Sequence, residues 1–144
     1  ELGKPGQAID HFERALALNP RYVRAYHNLG VIYHLEGDLK RAIKNYQAAL
    51  SLDRANLSSL NNLGLVYREE QRLYDAREVL EKALNLKPAF PQTQYNLALV
   101  LEGLGEYEQA RIHYQEFVAL TGEKNRALAE KVETHLRTLP QQKK

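Results

Sequence analysis

An internal repeat of 34 residues constrains this chain more than any other feature of its sequence. The triplet Asn-Leu-Gly occupies residues 28–30 and 62–64, and Asn-Leu-Ala occupies residues 96–98. Neither a sheet ladder nor a coiled-coil heptad has this period, whereas self-similarity over about 20–50 residues is typical of repeat architectures. The spacing therefore indicates an array of equivalent structural units.

Alignment on this period places chemically similar residues in the same columns. Leucine fills one column, small residues fill the next, and alanines alternate with bulky residues further on. The columns are Leu29, Leu63 and Leu97; Gly30, Gly64 and Ala98; Tyr33, Tyr67 and Leu101; Ala8, Ala42, Ala76 and Ala110; Phe12, Tyr46, Leu80 and Tyr114; Ala15, Ala49, Ala83 and Phe117; and Pro20, Arg54, Pro88 and Gly122.

Each period has the pattern of a pair of helices. Within residues 26–50, apolar residues lie three and four positions apart, and Gly37-Asp38 interrupts them near the middle. This pattern predicts two amphipathic helices of about 14 residues joined by a tight turn. Small residues such as Gly30 would let a bulky side chain of the neighbouring helix approach closely, and Tyr33 and Tyr46 would fill the grooves.

These columns resemble those of the tetratricopeptide repeat (TPR) family. The resemblance covers residues 1 to about 122 and implies an all-α, right-handed superhelical solenoid of stacked αα-hairpins. The implied organisation is the second helix of a truncated repeat at 1–22, repeats at 23–56, 57–90 and 91–124, a C-terminal capping helix at 125–139, and a tail at 140–144.

Four positions depart from the family pattern. Leu60 and Gln94 stand where the family prefers a large aromatic residue, and Gln71 replaces the turn glycine found at 37 and 105. Arg54 replaces the proline that closes a repeat. We expect each departure to weaken one joint without disturbing the register.

The two ends of the array have different apolar faces. At the N-terminal end, Ile9, Phe12 and Leu16 form a stripe whose partner helix is missing from the sequence. Because a repeat buries its apolar face against its neighbours, we expect a fragment of a longer array, whose edge packs against another copy or a swapped helix. A homo-oligomer through this end is thus one prediction. At the other end, Leu128, Val132, Leu136 and Leu139 share one face of the predicted capping helix.

Composition argues against several classes of partner. Twenty basic and eighteen acidic residues are mixed along the chain and leave a net charge of +2. The basic footprint of a nucleic-acid-binding protein is therefore absent. No apolar run approaches the roughly 20 residues that span a bilayer, so we expect a soluble protein without membrane insertion. The compartment stays open, with the cytoplasm slightly favoured, and the lack of cysteine excludes thiolate chemistry.

The sequence shows no convergent catalytic groups. The five histidines fall on different helices or faces, and only His27 and His34 share a face, about 10 Å apart. That separation disfavours a shared metal ion. There is no nucleophile elbow and no glycine-rich phosphate loop. The sequence therefore predicts a non-enzymatic protein with no metal and no cofactor.

The resemblance implies a concave groove that binds an extended peptide or a partner helix. In TPR proteins this groove is formed by the second, fifth, sixth, ninth and twelfth positions of each repeat. In this sequence those positions are Arg24, His27, Asn28, Val31 and His34; Ser58, Asn61, Asn62, Leu65 and Arg68; and Gln92, Tyr95, Asn96, Leu99 and Glu102.

The row of asparagines at 28, 62 and 96 has two interpretations. A side-chain amide donates and accepts at once, so a ladder of them could bind the backbone of a ligand, as in the TPR superhelix of O-linked N-acetylglucosamine transferases. Alternatively, asparagine is common at this position of TPRs and satisfies neighbouring backbone groups. Val31, Leu65 and Leu99 add an apolar line beside the row, and Tyr95 adds an amphipathic anchor.

The resemblance also bears on one class of partner, the C-terminal tails of the chaperones Hsp70 and Hsp90. TPRs that bind the C-terminal carboxylate of Hsp70 or Hsp90 use groove lysines or arginines, whereas the corresponding residues here are His27, Gln92 and Asn96, and only Asn62 matches. The sequence argues against such tails, unless a preceding repeat supplies the charge. The leading prediction is a protein-interaction module. Its rivals are a substrate-targeting domain of a larger enzyme such as an O-linked glycosyltransferase, and a self-assembling scaffold.

Overall fold

The computed structural model describes residues 5–121 and 125–140. These residues form eight α-helices and no strand, so the predicted all-α class is confirmed. The helices are α1 (Pro5–Leu18), α2 (Val23–Leu35), α3 (Leu39–Leu52), α4 (Leu57–Glu69), α5 (Leu73–Leu86), α6 (Pro91–Gly103), α7 (Tyr107–Thr121) and α8 (Arg126–Thr138). The predicted tail at 140–144 lies outside the described residues except for Pro140.

The helices stack as a solenoid of αα-hairpins. Each helix packs on the next one along the chain, and the most extensive packing joins α2 to α3, α4 to α5 and α6 to α7. In addition, α2 contacts α4 and α4 contacts α6, whereas α3 does not reach α5. The first helices of the hairpins therefore form the inner layer of the stack, and the second helices form the outer layer.

Glycines permit the closest approach within two hairpins. A Cβ atom at Gly30 would lie 2.6 Å from Cε1 of Tyr46, and one at Gly64 would lie 2.6 Å from Cγ of Leu80. No real Cβ contact is that short. The prediction that a small residue at 30 admits a bulky side chain is thus confirmed.

The turns inside the hairpins share one backbone conformation. Gly37 and Gly105 have φ of 78°, and Gln71 at the equivalent position has φ of 59°. Glycine adopts this left-handed region without strain, whereas a residue with a side chain does not. The turn at Gln71 therefore keeps the backbone conformation of the other two turns, although glutamine replaces glycine there.

Helix caps and cross-repeat contacts complete the stack. The side chain of Asp38 caps α3 by accepting from the backbone N–H of Arg41 at 2.9 Å, and Asn56 caps α4 in the same way. At the C-terminal end, Arg111 of α7 donates to the carbonyl oxygen of Leu136 at 2.8 Å. This bond ties α8 to the array.

Candidate functional site

A groove of about 540 Å³ opens between the inner layer and the C-terminal helices. Its wall is formed by α4 and α6, by the end of α7, and by the start of α8. Six of the lining residues are predicted concave positions. The residues that line this inner groove are Leu65, Arg68, Pro91, Gln92, Tyr95, Asn96, Leu99, Phe117, Leu120, Thr121, Asn125 and Leu128.

A smaller cavity of about 220 Å³ shares part of this lining. Tyr95, Leu99 and Leu128 border both cavities. Lys131 and His135 of α8 lie on the far side of the smaller one. The two spaces therefore follow the face of α8 that points toward α6.

Tyr95 is the aromatic wall of the groove. Its ring packs at 5.0 Å from the ring of Phe117 and edge-on at 6.0 Å from that of Tyr114, measured between ring centroids. Such tilted contacts hold an aromatic side chain in place. Tyr95 is half-buried, so it takes part in packing as well as bordering the groove, which the sequence had not indicated.

Asn96 brings an unpaired donor to the same wall. Only 3% of its surface is exposed, and its Nδ2 atom has no hydrogen-bond partner within the described residues. A buried amide without a partner is destabilising, typically by about 1–3 kcal/mol. The Nδ2 atom itself has almost no exposed surface, so an acceptor brought by a ligand could remove that cost only after the side chain rotates toward the groove.

The other two members of the asparagine row are more open. Asn28 and Asn62 are half-buried. Asn62 lies beside the buried hydroxyl of Tyr46. Burial raises the pKa of Tyr46 to about 12, and Asn62 partly opposes this rise. The hydroxyl has no hydrogen bond of ordinary geometry among the described residues. Asn96 lines the inner groove, whereas Asn28 and Asn62 do not, so the three members of the row differ in both position and exposure.

Asn61 is not available to a ligand, in contrast to its prediction as a groove residue. Its Nδ2 atom donates to the carbonyl oxygen of Leu57 at 3.0 Å, and its Oδ1 atom accepts from the hydroxyl of Thr93 at 2.8 Å. Only 4% of its surface is exposed. Asn61 connects neighbouring repeats because both of its polar atoms are used inside the protein.

Of the charged residues predicted for the groove in the second and third repeats, Arg68 and Glu102, only Arg68 lines it. Arg68 lines the groove and has no ion-pair partner within residues 5–121 and 125–140. Glu102 accepts from the hydroxyl of Tyr114 at 2.8 Å and lies 2.8 Å from Nε2 of His135. Burial, and then the bond to Glu102, raise the pKa of Tyr114 far above its ordinary value. Arg68 is therefore free to bind, whereas Glu102 is already engaged.

The predicted site residues of the first repeat lie away from the inner groove. The Nδ1 atom of His27 lies 2.9 Å from Oγ of Ser59, and Nε2 of His34 lies 3.0 Å from Oε1 of Glu69. Burial lowers the pKa of His27. Arg24 is exposed and Val31 is half-buried. In the second repeat, Ser58 is exposed and does not line the groove.

Half of the groove lining was not predicted. Phe117, Leu120 and Leu128 supply apolar surface from α7 and α8, whereas the sequence had suggested only positions on first helices. A signal was present, because Leu128 belongs to the apolar stripe of α8. That stripe was interpreted as a cap for the array.

The described residues hold no group of three or more metal-ligating side chains that could bind a metal ion. None of the described helices is both long enough and apolar enough to cross a membrane.

The predicted self-association edge lies on α1. Ile9, Phe12 and Leu16 are half-buried and pack toward the core of the array. Helix α1 contacts α2 alone among the described helices, and none of its residues is fully buried. Leu18 at the end of α1 is 89% exposed.

Comparison with solved structures supports the solenoid. A crystal structure of MamA protein matches 88% of this chain and 68% of its own, with 25% identity and a TM-score of 0.76. A second MamA structure covers 90% of this chain and 82% of its own at 19% identity, with a TM-score of 0.75. A double mutant, MamA RS-1 ArsTM, covers 83% and 67% at 23% identity, with a TM-score of 0.76.

Comparison with protein families covers nearly all of the repeat region. Models described as "Tetratricopeptide repeat" match residues 1–59 and 91–124, and one described as "TPR repeat" matches residues 64–105. Among curated proteins, no sequence matches. The matched segments together with the hairpin stack confirm the predicted resemblance: the chain belongs to the tetratricopeptide repeat family.

Proposed function

We propose that this chain is a non-enzymatic protein-interaction module whose inner groove binds an extended segment of a partner protein. Its family membership supports a scaffold that interacts with proteins. The observation that carries the finer proposal is the largely apolar inner groove itself, whose wall includes Asn96 with a buried Nδ2 donor that has no partner among the described residues and that a ligand could reach once the side chain rotates. An extended peptide backbone supplies carbonyl acceptors for such a donor.

The size and lining of the groove fit a short stretch of peptide that carries an apolar side chain. Its volume of about 540 Å³ lies within the range of roughly 300–1,000 Å³ found for ligand sites. Leu65, Leu99 and Leu128 contribute apolar surface from three different helices. The side chain would gain hydrophobic burial while the adjacent backbone pairs with Asn96.

Arg68 gives the groove a polar rim. Because it has no ion-pair partner within the described part of the chain, it can donate to a carbonyl or carboxylate of the peptide without breaking an existing pair. Its planar guanidinium suits two parallel hydrogen bonds. Arg68 thus fixes the direction of the bound segment.

The asparagines provide the test of this proposal. A displayed library of random linear peptides is selected on the protein, and a synthetic copy of a selected peptide is measured by calorimetry. We expect the double variant Asn62→Ala and Asn96→Ala to bind about tenfold more weakly, the equivalent of one net hydrogen bond. The fold should be retained, as checked by circular dichroism.

Asn85→Ala is the matched control, because Asn85 is exposed on α5 and lies outside the groove. It should leave the affinity unchanged. An affinity that is equal in the double variant and the parent protein would eliminate the asparagine ladder as the basis of binding.

Self-association is a separate candidate, supported by the half-buried stripe of α1. A second copy could cover the side of Phe12 that α2 leaves open. Mass measured by light scattering should then rise with concentration, and Phe12→Asp should abolish the rise. A constant monomer mass in both proteins would exclude this candidate.

A further inference from the structure

A further cavity lies on the outer layer, where the first and second full repeats meet. Its volume is about 410 Å³, and its lining comes from α3, α4, α5 and the loop before α4. Leu60 is 3% exposed, and Leu50 and Val79 are half-buried. The lining residues of this outer cleft are Leu50, Arg54, Leu60, Val79 and Lys82. It shares no lining residue with the inner groove.

One repeat later, the side chain at the register position of Leu60 is held by hydrogen bonds. Gln94, at the register position of Leu60, donates from Nε2 to the carbonyl oxygen of Pro88 at 2.9 Å. Its Oε1 atom lies 2.7 Å from Nδ1 of His113. One repeat earlier, the same register position holds the aromatic ring of Tyr26.

Leu60 can neither supply an aromatic ring nor form side-chain hydrogen bonds. Its side chain is shorter than that of Tyr26 and carries no polar atom to bridge the cleft as Gln94 does. At the register position of Leu60, the two neighbouring repeats of this chain thus carry a larger or a hydrogen-bonded side chain.

Two cationic residues, Arg54 and Lys82, stand at the rim of the outer cleft. Arg54 replaces the proline found at 20 and 88, and it has no ion-pair partner within the described residues. Lys82 stands where the next repeat has Glu116. Its ammonium is paired with Glu78 at 2.6 Å, but both partners are exposed, so the pair contributes little and can be exchanged.

We propose that the outer cleft binds a short acidic segment of a partner protein that carries an aromatic side chain. The ring occupies the apolar floor formed by Leu50, Leu60 and Val79. Carboxylates beside the ring face Arg54 and Lys82. The apolar floor favours an aromatic ring, and the cationic rim favours carboxylates. Together they select a segment that has both groups.

Capped tripeptides test this composition directly. The probes are Glu-Phe-Glu, its charge-reversed form Lys-Phe-Lys, and Glu-Ala-Glu, which lacks the ring. Methyl signals of Leu50, Leu60 and Val79 are followed by NMR at peptide concentrations on the order of 1–10 mM, the regime of single-side-chain affinities. We expect shifts with Glu-Phe-Glu, and binding at least about tenfold weaker with the other two.

Two variants connect the binding to the cleft. Leu60→Tyr introduces the larger side chain that Tyr26 carries at the same register position, and it should abolish the shifts of Leu50 and Val79. Arg54→Glu with Lys82→Glu changes only exposed residues and should reverse the preference between the two charged peptides. If Leu60→Tyr does not fold, the charge-reversed variant still tests whether the peptide binds in the outer cleft.

Further outcomes separate this proposal from its rivals. Leu99→Asp in the inner groove should leave the shifts unchanged, so failure of one site does not imply failure of the other. The absence of methyl shifts with Glu-Phe-Glu, or equal shifts in the charge-reversed variant, would overturn the proposal. Shifts that grow with protein concentration alone would assign the cleft to a second copy of this chain and would also overturn it.

Discussion

The hydroxyl of Thr93 donates to Oδ1 of Asn61 at 2.8 Å, across the joint between the second and third full repeats. One repeat earlier, at the same register, Nδ1 of His27 lies 2.9 Å from Oγ of Ser59. Two different pairs of residues thus make the same cross-repeat contact. The joints of this array are held by polar bonds as well as by apolar packing.

Removal of the Thr93 hydroxyl tests the strength of such a joint. Thr93 is fully buried, so Thr93→Val keeps the shape and leaves Oδ1 of Asn61 without its donor. We expect a loss of about 1–3 kcal/mol in the free energy of unfolding, measured with urea. Ser58→Ala, at an exposed position of α4, is the control. A loss below about 0.5 kcal/mol would show that the bond contributes no more than a surface contact.

Gly64→Ala tests the close approach inside the second hairpin. The added methyl would lie 2.6 Å from Cγ of Leu80, which is fully buried and cannot move aside freely. We expect a destabilisation of about 1–3 kcal/mol in urea unfolding. Gly6→Ala is the matched control, because a Cβ atom at Gly6 meets nothing within 4 Å. Equal effects of the two substitutions would contradict the packing argument.

Gln71→Gly should stabilise the protein. Gln71 has φ of 59°, in the region that glycine adopts without a steric penalty. We expect a gain of about 0.5–1 kcal/mol, after the larger entropy of glycine in the unfolded chain is subtracted. Gly37→Ala is the reciprocal test: its φ is 78° and the space around it is open, so any loss reports backbone strain alone. A gain from Gly37→Ala would refute this explanation.

Half-buried histidines make stability depend on pH. Desolvation lowers the pKa of His27 and His113 below the usual 6.5, and in His113 the nearby Glu81 and Glu116 oppose that effect. The unfolded chain therefore binds protons more readily at these rings. Their contribution is fully present above pH 6.5 and is lost as the pH falls toward the folded-state values.

Urea midpoints at about pH 7.5 and about pH 5.5 measure this effect. The double variant His27→Gln and His113→Gln should lose less stability over this interval than the parent protein. NMR titration of the two rings should give pKa values below 6.5. A ring that titrates above this value would contradict the assigned cause.

The local parts of the structure were predictable from sequence. Helix pairs, their turns and the contact of Gly30 with Tyr46 follow from spacing within one period, because residues three, four and sixteen positions apart occupy fixed places on an αα-hairpin. The burial of Asn61 did not follow. It depends on Thr93, which belongs to the next repeat, and on the distance at which the two repeats stack.

The groove could be predicted only in part for a related reason. Asn96 and Leu99 lie on first helices, whose places the period fixes. Leu120 and Leu128 enter from the end of α7 and from α8, and α8 lies beyond the last period. No column alignment gives the orientation of such a helix, so its contribution to the groove emerged only from the structure.

The location of a bound peptide tests the central claim most directly. A peptide selected from the random library is added to protein with labelled leucine methyl groups, and the signals are followed by NMR. The inner-groove proposal predicts shifts at Leu65, Leu99 and Leu128, and their loss in Leu99→Asp. Binding that shifts only the methyls of Leu16 or Leu50, and that survives Leu99→Asp, would contradict it.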